Sequence, residues 1–408
     1  VKTLVALFER KLLFISFVGM LFFGSIDSLR SIMTPLIQKD LHLNYLELSG
    51  AFSLGSFGYL AGSFLGGLVI DKKGLKFVTV WGSFLIAVGL LLYMNVENYS
   101  LFASGFVLAG IGGGFLEIGI NGAVPAVAKS AEDQARYFNW LHGFYGVGAS
   151  GLPILSIWIL QLSPDWRSGF WVELVLLSFI LLFVIFFRYG QVTTHSGKPH
   201  SQRETVPNTI KSGGYTRLVG LLLAILAYVM AEVGYATWLP TYLLQVRALP
   251  LSEGALYLSG FYLVFTAGRL SAHWWIHRIG QEKTVMISST LGILLVGTAI
   301  VWRGEAAMAL FIVSGICFAA IFPTIAAIAC SLYANQAGRI LGYLFTASGL
   351  GALVGNGMIG VIANTYGIEW AFSGIICFLT CVFLCMLAVI RSKERIPTDE
   401  SFVHSKNS

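Results

Sequence analysis

AGSFLGGLVIDKKGLK, Ala61 to Lys76, closes one apolar run and opens the next. Aliphatic and small residues give way to Asp71, Lys72 and Lys73, then to Gly74, and hydrophobicity resumes at once. Such a stretch reads as a short charged turn between two apolar helices: the charges stay in water and the glycine permits the reversal. The pattern recurs in AGRLSAHWWIHRIG, Ala267 to Gly280. Ala-Gly opens both, and a basic residue and a glycine close both at the same offsets, Lys72 with Gly74 and Arg278 with Gly280. A second match lies farther on. Arg136 is followed ten residues later by Gly146-Val-Gly-Ala149, and Arg339 by Gly349-Leu-Gly-Ala352. Two matches in the same order point to duplication of a unit of several helices.

Composition says what surrounds those helices. Of 408 residues, 56% are hydrophobic and only 11% charged, with a mean hydropathy of +0.77. Soluble domains carry roughly 25% charged residues, so this chain cannot cover a soluble surface. A helix needs about 20 apolar residues to cross a bilayer. The apolar runs are continuous rather than alternating, which argues against a spanning barrel. The fold class expected is an all-α membrane protein with twelve transmembrane helices in two pseudo-symmetric six-helix bundles. The spans expected are 12–37, 46–70, 76–95, 99–126, 136–161, 169–189, 217–245, 252–277, 282–301, 305–333, 338–363 and 367–390. The first is read as a retained helix rather than a cleaved signal. The bundles fill 1–190 and 217–391, joined by a polar linker over 191–216 and followed by a tail over 392–408.

Lysine and arginine give the orientation. With a cytoplasmic N-terminus, twenty of the 26 fall on the cytoplasmic side, four outside and two, Arg30 and Arg269, within spans. Both termini are therefore expected in the cytoplasm of a cell whose plasma membrane the protein spans. The net charge of +6 follows from this bias and does not point to nucleic acid. Cys377, Cys381 and Cys385 share a helix face as small packing residues rather than metal ligands. No phosphate-binding loop is present, so no nucleotide, metal or other cofactor is expected. Repeated halves in a membrane imply a transporter with its substrate near the midplane.

Gly67-Leu-Val-Ile-Asp71-Lys72-Lys-Gly74-Leu-Lys76 resembles the loop signature between the second and third helices of the major facilitator superfamily. The resemblance implies a cytoplasmic latch formed by Gly67, Asp71, Lys72, Gly74, Lys76 and Arg136. Its bland alternative is loop charge obeying the positive-inside rule.

Within FLEIGINGAVPAVA, Phe115 to Ala128, Glu117 stands deep in an apolar run. A charge at mid-membrane costs roughly 2.5–3.5 kcal/mol on insertion scales. A carboxyl persists there if it is paired, faces water, or holds a proton for part of a cycle. Proton coupling requires the last. Asn121 lies one turn away, and the next span adds Asn139 and His142, three apart. A carboxyl, two amides, an imidazole and aromatic rings suit sugar hydroxyls and ring faces; the same amides also serve interhelical packing. Glu117-x-x-x-Asn121 and Asn139-x-x-His142 are similar to the fucose–galactose–glucose:proton symporter branch of the superfamily. That resemblance implies Glu117 as the coupling acid. His142 stands where the branch has a sugar-contacting glutamine. Ala231–Leu243 and Ala319–Ala329 resemble bacterial glucose/mannose symporters of the same branch. The branch also has a first-helix carboxylate a few residues before a proline. Here Pro35 is present but the matching position is Ser31, so either Glu117 couples alone or Asp27, one turn earlier, substitutes. Asp27 also lies within reach of Arg30 as a structural pair.

In the second half, Glu232 precedes Tyr235 and Trp238 at helical spacing. Glu232 either contacts sugar or braces the helix at Gly234. Tyr262 and Asn356 are further candidates for the substrate cavity. The function expected is import of a hexose-like solute with a proton, by a non-enzymatic monomer whose partners are that solute, protons and the lipid bilayer. The rivals are a proton-coupled drug exporter, an organic-anion symporter using Arg30, and a transporter-like sensor that moves nothing.

Overall fold

The computed structural model describes residues 2–96, 98–186, 212–302, 304–333 and 337–394. The expected linker, apart from its last residues, and the tail beyond 394 lie outside these. Every regular element described is a helix. Ten candidate spans are long and apolar enough to cross a membrane. Large apolar side chains stay exposed around the outside, among them Phe64, Trp158, Phe179 and Trp370, as a protein solvated by lipid requires.

The elements are α1 (Lys2–Asp40), α2 (Tyr45–Met94), α3 (Tyr99–Val127), α4 (Ala131–Leu162), α5 (Arg167–Phe186), α6 (Ser212–Val246), α7 (Leu251–Ile279) and α8 (Gln281–Val301), then α9 (Glu305–Val313), α10 (Gly315–Ala319), α11 (Ile321–Leu332), α12 (Ala337–Tyr366) and α13 (Ile368–Glu394). Their starts follow from local chemistry. Asn44 and Glu47 form a reciprocal capping box on α2, with bonds of 2.8 and 2.9 Å. Asn98 and Ser130 accept from the first-turn amides of α3 and α4. These side chains satisfy amides that have no partner within the helix.

Helix α2 carries the opening motif. It runs for 50 residues, and at about 1.5 Å per residue a straight helix of that length is more than twice the roughly 30 Å hydrocarbon core. Gly74 breaks it, with φ 80° and ψ 171°. That region is open to glycine almost alone. Gly280, the partner of Gly74 in the repeated motif, has φ 91° and ψ 149° and separates α7 from α8. The two copies of the motif thus share an unusual backbone conformation.

The expected tenth span is interrupted instead of continuous: α9, α10 and α11 follow one another with breaks at Ser314 and Ala320. Pro323 supplies a reason. It has no amide hydrogen and its ring crowds the carbonyl four residues earlier, which is Ala319, the last residue of α10. Helix α7 is too polar to count among the ten spans; it holds Glu253, Arg269 and Arg278.

Glycines let the backbones approach, as in membrane helix packing generally. A side chain at Gly148 of α4 would strike the backbone of α1 at Leu21 and Ser25, and one at Gly351 of α12 would strike α6 at the Leu226 carbonyl. Gly146 faces Thr266 of α7, and Gly349 faces Leu60 of α2. The two Gly-x-Gly-Ala motifs therefore make the same pair of contacts with corresponding helices. One glycine of each motif touches α1 or α6, and the other touches α7 or α2.

Gly148→Leu should lower stability by about 1–3 kcal/mol, because it overpacks a backbone contact. Gly151→Ala in the same helix has nothing within 4 Å of the added methyl and should leave stability unchanged or raise it by up to about 1 kcal/mol. Thermal unfolding of the two variants in lipid nanodiscs checks both.

Candidate functional site

Glu117 lies on α3, part-buried, and its carboxylate accepts from the Tyr59 hydroxyl of α2. Asn121, one turn on, reaches the other oxygen at 3.5 Å, a long and weak bond. Asp27 of α1 is near enough for its charge to act on Glu117. Asp27 itself pairs with Arg30 at 3.0 Å and accepts from the Tyr145 hydroxyl of α4 at 3.2 Å. The sequence left open whether Asp27 pairs with Arg30, and here it does. Arg30 also lies 5.8 Å over the ring of Phe52, a favourable place for a cation.

Glu232 of α6 faces Arg269 of α7 at 4.0 Å. Arg269 also donates to the Ala319 carbonyl at 3.3 Å, the carbonyl that Pro323 deprives of its helical partner. The guanidinium stacks 4.3 Å over Phe265. Asp27 and Glu232 hold corresponding places relative to the two Gly-x-Gly-Ala motifs. Each is six residues past the leucine, Leu21 or Leu226, that its motif glycine touches. Tyr145 and Tyr262 meet edge to face across the halves, with ring centroids 6.3 Å apart.

The two ion pairs are only part-buried. Side-chain exposure is 33% and 35% for Arg30 and Asp27, and 26% and 24% for Arg269 and Glu232. Because Asp27 and Arg30 also meet α4 and α2, and Arg269 meets α10, the open side of each pair lies among the helices rather than toward lipid. His142 borders this space too, exposed and within charge range of Arg269. Asn139, one turn nearer the α4 N-terminus, is exposed. Tyr262 is 6% exposed, and Asn356 is buried with its side-chain oxygen unpartnered.

Two candidates lie elsewhere. Tyr235 is fully buried: its hydroxyl donates to the Phe311 carbonyl at 2.7 Å, and its ring packs against Phe261, Phe318 and Phe372. Helical spacing alone placed it near Glu232, but the interrupted α9–α10 segment offers it a carbonyl and a ring cluster away from the open space. Trp238 is also fully buried, against Tyr45 and Phe52 of the other half.

That contact belongs to a seal across one end of the molecule. Tyr45 donates to Gln245, Gln245 reaches Gln38 at 3.4 Å, and Ser53 donates to the Leu353 carbonyl at 2.9 Å. Ser259 of α7 donates to the Ser150 carbonyl of α4 at 2.6 Å. At the opposite end the described contacts of the latch candidates are local. Asp71 and Lys72 are exposed. Lys76 donates to the Ile185 carbonyl and Arg136 pairs with Asp133 at 2.7 Å, both within the first half. Gly67 has nothing within 4 Å of the place a side chain would take.

Sequence reasoning missed Tyr59 and Glu173. Tyr59 carried no signal apart from its face. Glu173 carried one: it is the only charged residue between Arg167 and Phe186. It is fully buried, and neither carboxyl oxygen has a hydrogen-bond partner.

Known proteins share this architecture. The "Protein TsgA homolog" of Buchnera aphidicola subsp. Baizongia pistaciae (strain Bp) is 21% identical over 90% of this chain and 94% of its own length. The "Putative niacin/nicotinamide transporter NiaP" of Bacillus subtilis (strain 168) is 23% identical over 71% of each chain. Among solved structures, nucleoside transporter NupG superposes with a TM-score of 0.71 at 15% identity, covering 95% of this chain and 99% of that one. A single-residue variant of the E. coli fucose:proton symporter FucP superposes with a TM-score of 0.61 at 18% identity, covering 92% and 98%. The profile of the Major Facilitator Superfamily matches residues 15–305 and 255–406. With the signature loop, the repeated glycine contacts and the charged space between the halves, this match makes the chain a member of the Major Facilitator Superfamily, a multi-pass membrane transporter.

Proposed function

We propose that this transporter imports a hexose-like solute together with a proton by alternating access, with Glu117 as a proton site. The observation that carries the reading is the placement of Glu117. It is a mid-helix carboxyl held by Tyr59 and Asn121, next to the Asp27–Arg30 pair, at the edge of an open space. A carboxyl there changes its interactions strongly when it gains or loses a proton, because little water screens it. Protonated and ionised Glu117 then favour different arrangements of the halves, which is how a proton gradient drives a solute.

The wider architecture in this reading is twelve crossings in two pseudo-symmetric bundles, 1–190 and 217–391, with both termini cytoplasmic. Gly74 divides α2 into two crossings, α9–α11 form one, and the matching Gly-x-Gly-Ala contacts relate the halves. The sealed end then faces outside and the structure is open to the cytoplasm. Gly67, Asp71, Lys72, Gly74, Lys76 and Arg136 form a cytoplasmic latch that engages in the outward-open state.

Solute contacts are assigned to Asn121, Asn139, His142, Glu232, Tyr262 and Asn356. Hydroxyl-rich solutes suit the carboxyl and amide groups, and the Tyr145–Tyr262 pair offers ring faces. The same features suit a nucleoside, whose ribose has hydroxyls and whose base has faces. The NupG and NiaP names add a nucleoside or pyridine solute to the probes. An organic anion fits less well, since Arg30 and Arg269 each already face a carboxylate.

Uptake into proteoliposomes under an imposed inward proton gradient tests the reading. With labelled glucose, mannose, galactose, fucose, uridine and nicotinamide, wild type should concentrate a sugar. Glu117→Gln should equilibrate or exchange that sugar without concentrating it. Concentration of uridine or nicotinamide alone would move the substrate class; extrusion of a cationic dye would reverse the direction.

Glu232→Gln should weaken binding of the transported solute at least ten-fold in equilibrium titration. A hydrogen bond to a charged group is worth about 1.5–3 kcal/mol, and about 1.4 kcal/mol is ten-fold. In a background without native cysteines, Gln38→Cys with Gln245→Cys should form a disulfide on oxidation and stop uptake, and reduction should restore it.

A further inference from the structure

Glu173 is a second proton site. We infer that it is held as the neutral acid while the outer end is sealed, and that on losing its proton it takes Arg30 from Asp27 and favours opening of that end. This rests on the transporter reading above but not on the identity of the solute.

Burial and partners come first. Glu173 is 0% exposed, and both carboxyl oxygens lack a hydrogen-bond partner. Ser25 of α1 lies beside it, but the Ser25 hydroxyl donates to the Phe22 carbonyl at 2.8 Å. Leaving a neutral polar group unpaired carries a modest cost. Leaving a charge both desolvated and unpaired costs several times more. The sealed conformation therefore holds the acid form.

The second observation is Arg30. One amino group binds Asp27 at 3.0 Å, while its Nε is buried with no partner. Arg30 and Glu173 both lie within charge range of the buried Tyr93 of α2. A cation with a spare buried donor and an acid with two spare acceptors thus share one neighbourhood. The groups around Glu173 are Ser25 and Asp27 from α1 and Tyr93 from α2, and Arg30 joins them through its pair with Asp27. From α4, Tyr145 reaches Asp27. Asp27 in turn interacts with both Glu117 and Glu173, so it lies between the acid at the open space and the buried one.

The exchange balances simply. The Glu173 O–H bond breaks and the proton passes to water entering from the open space. The carboxylate left behind accepts from Arg30. Asp27, 35% exposed, keeps the Tyr145 hydroxyl and gains water. Because α5 packs on α1 at Leu29 and Met33, against Gly169, a shift of Arg30 toward Glu173 pulls on the helix whose outer end leads to Gln38 of the seal.

The test needs no solute. Full-length protein without native cysteines is reconstituted in phospholipid vesicles and spin-labelled at Leu46→Cys and Tyr366→Cys. Both positions are exposed near the sealed end, on α2 and α12. The inter-label distance is measured across pH, and the infrared carbonyl band of a protonated acid is recorded in parallel. In wild type the distances should lengthen as pH rises and the acid band should fade together with them. Glu173→Gln, which mimics the neutral acid, should keep the short distance at every pH and lack that band. Glu173→Asp, which keeps a carboxyl, should respond as wild type does and so controls for packing. An unchanged pH response in Glu173→Gln overturns the inference, as does a wild type that never opens, or a response lost in Glu117→Gln but kept in Glu173→Gln. Uptake separates the two readings. If no sugar moves but the opening depends on Glu173, the proton site stands and the sugar reading falls. If Glu173→Gln concentrates sugar as wild type does, the sugar reading stands and the proton site falls.

Discussion

A charge inside a bilayer must find a partner, water or a proton, and the interior of this protein is arranged around that demand. Each charged side chain in the open space has a neighbour that explains it. Asp27 has Arg30 and Tyr145; Glu117 has Tyr59 and Asn121; Glu232 has Arg269. Arg269 takes further support from the backbone, through a carbonyl that is free only because Pro323 follows four residues later. A proline that breaks a helix and an arginine that lacks a full partner thus satisfy each other. Irregular backbone at membrane depth is tolerated where it is buried in protein or lines such a space.

That arrangement needs the helices to stand at fixed depths, and lipid supplies no hydrophobic drive to hold them together. Close backbone contact does the work. Gly148 against α1 and Gly351 against α6 fix Asp27 and Glu232 at matching positions relative to the two Gly-x-Gly-Ala motifs. Gly146 and Gly349 each bring a helix of one half onto the other. At the sealed end, by contrast, the contact is polar, through hydrogen bonds such as Gln38–Gln245.

Much of the fold was legible because it is written in strong local signals. The spans are runs of apolar residues, and the repeated Gly74 and Gly280 have one backbone role. The interruption around Ser314 and Ala320 was not read, although Pro323 was visible, because a proline inside an apolar run is often absorbed as a kink. The site was legible in part. Glu117, Asp27 and Glu232 stood out as charges in apolar runs. Tyr235 and Trp238 were placed by spacing along one helix, and spacing cannot tell which neighbour that face meets. Tyr59 was invisible for the same reason. Glu173 obeyed the rule that found Glu117 and was passed over because no amide or imidazole accompanied it.

That last contrast separates two kinds of intramembrane acid. Glu117 is surrounded by groups that also suit a solute, and in the proposed cycle its charge state and solute binding share that space. Glu173 has no exposed surface at all, and its polar neighbours are Ser25 and Asp27 of α1 and Tyr93 of α2. In the proposal above, a proton there acts on the helices through Arg30, which in the sealed conformation is held by Asp27.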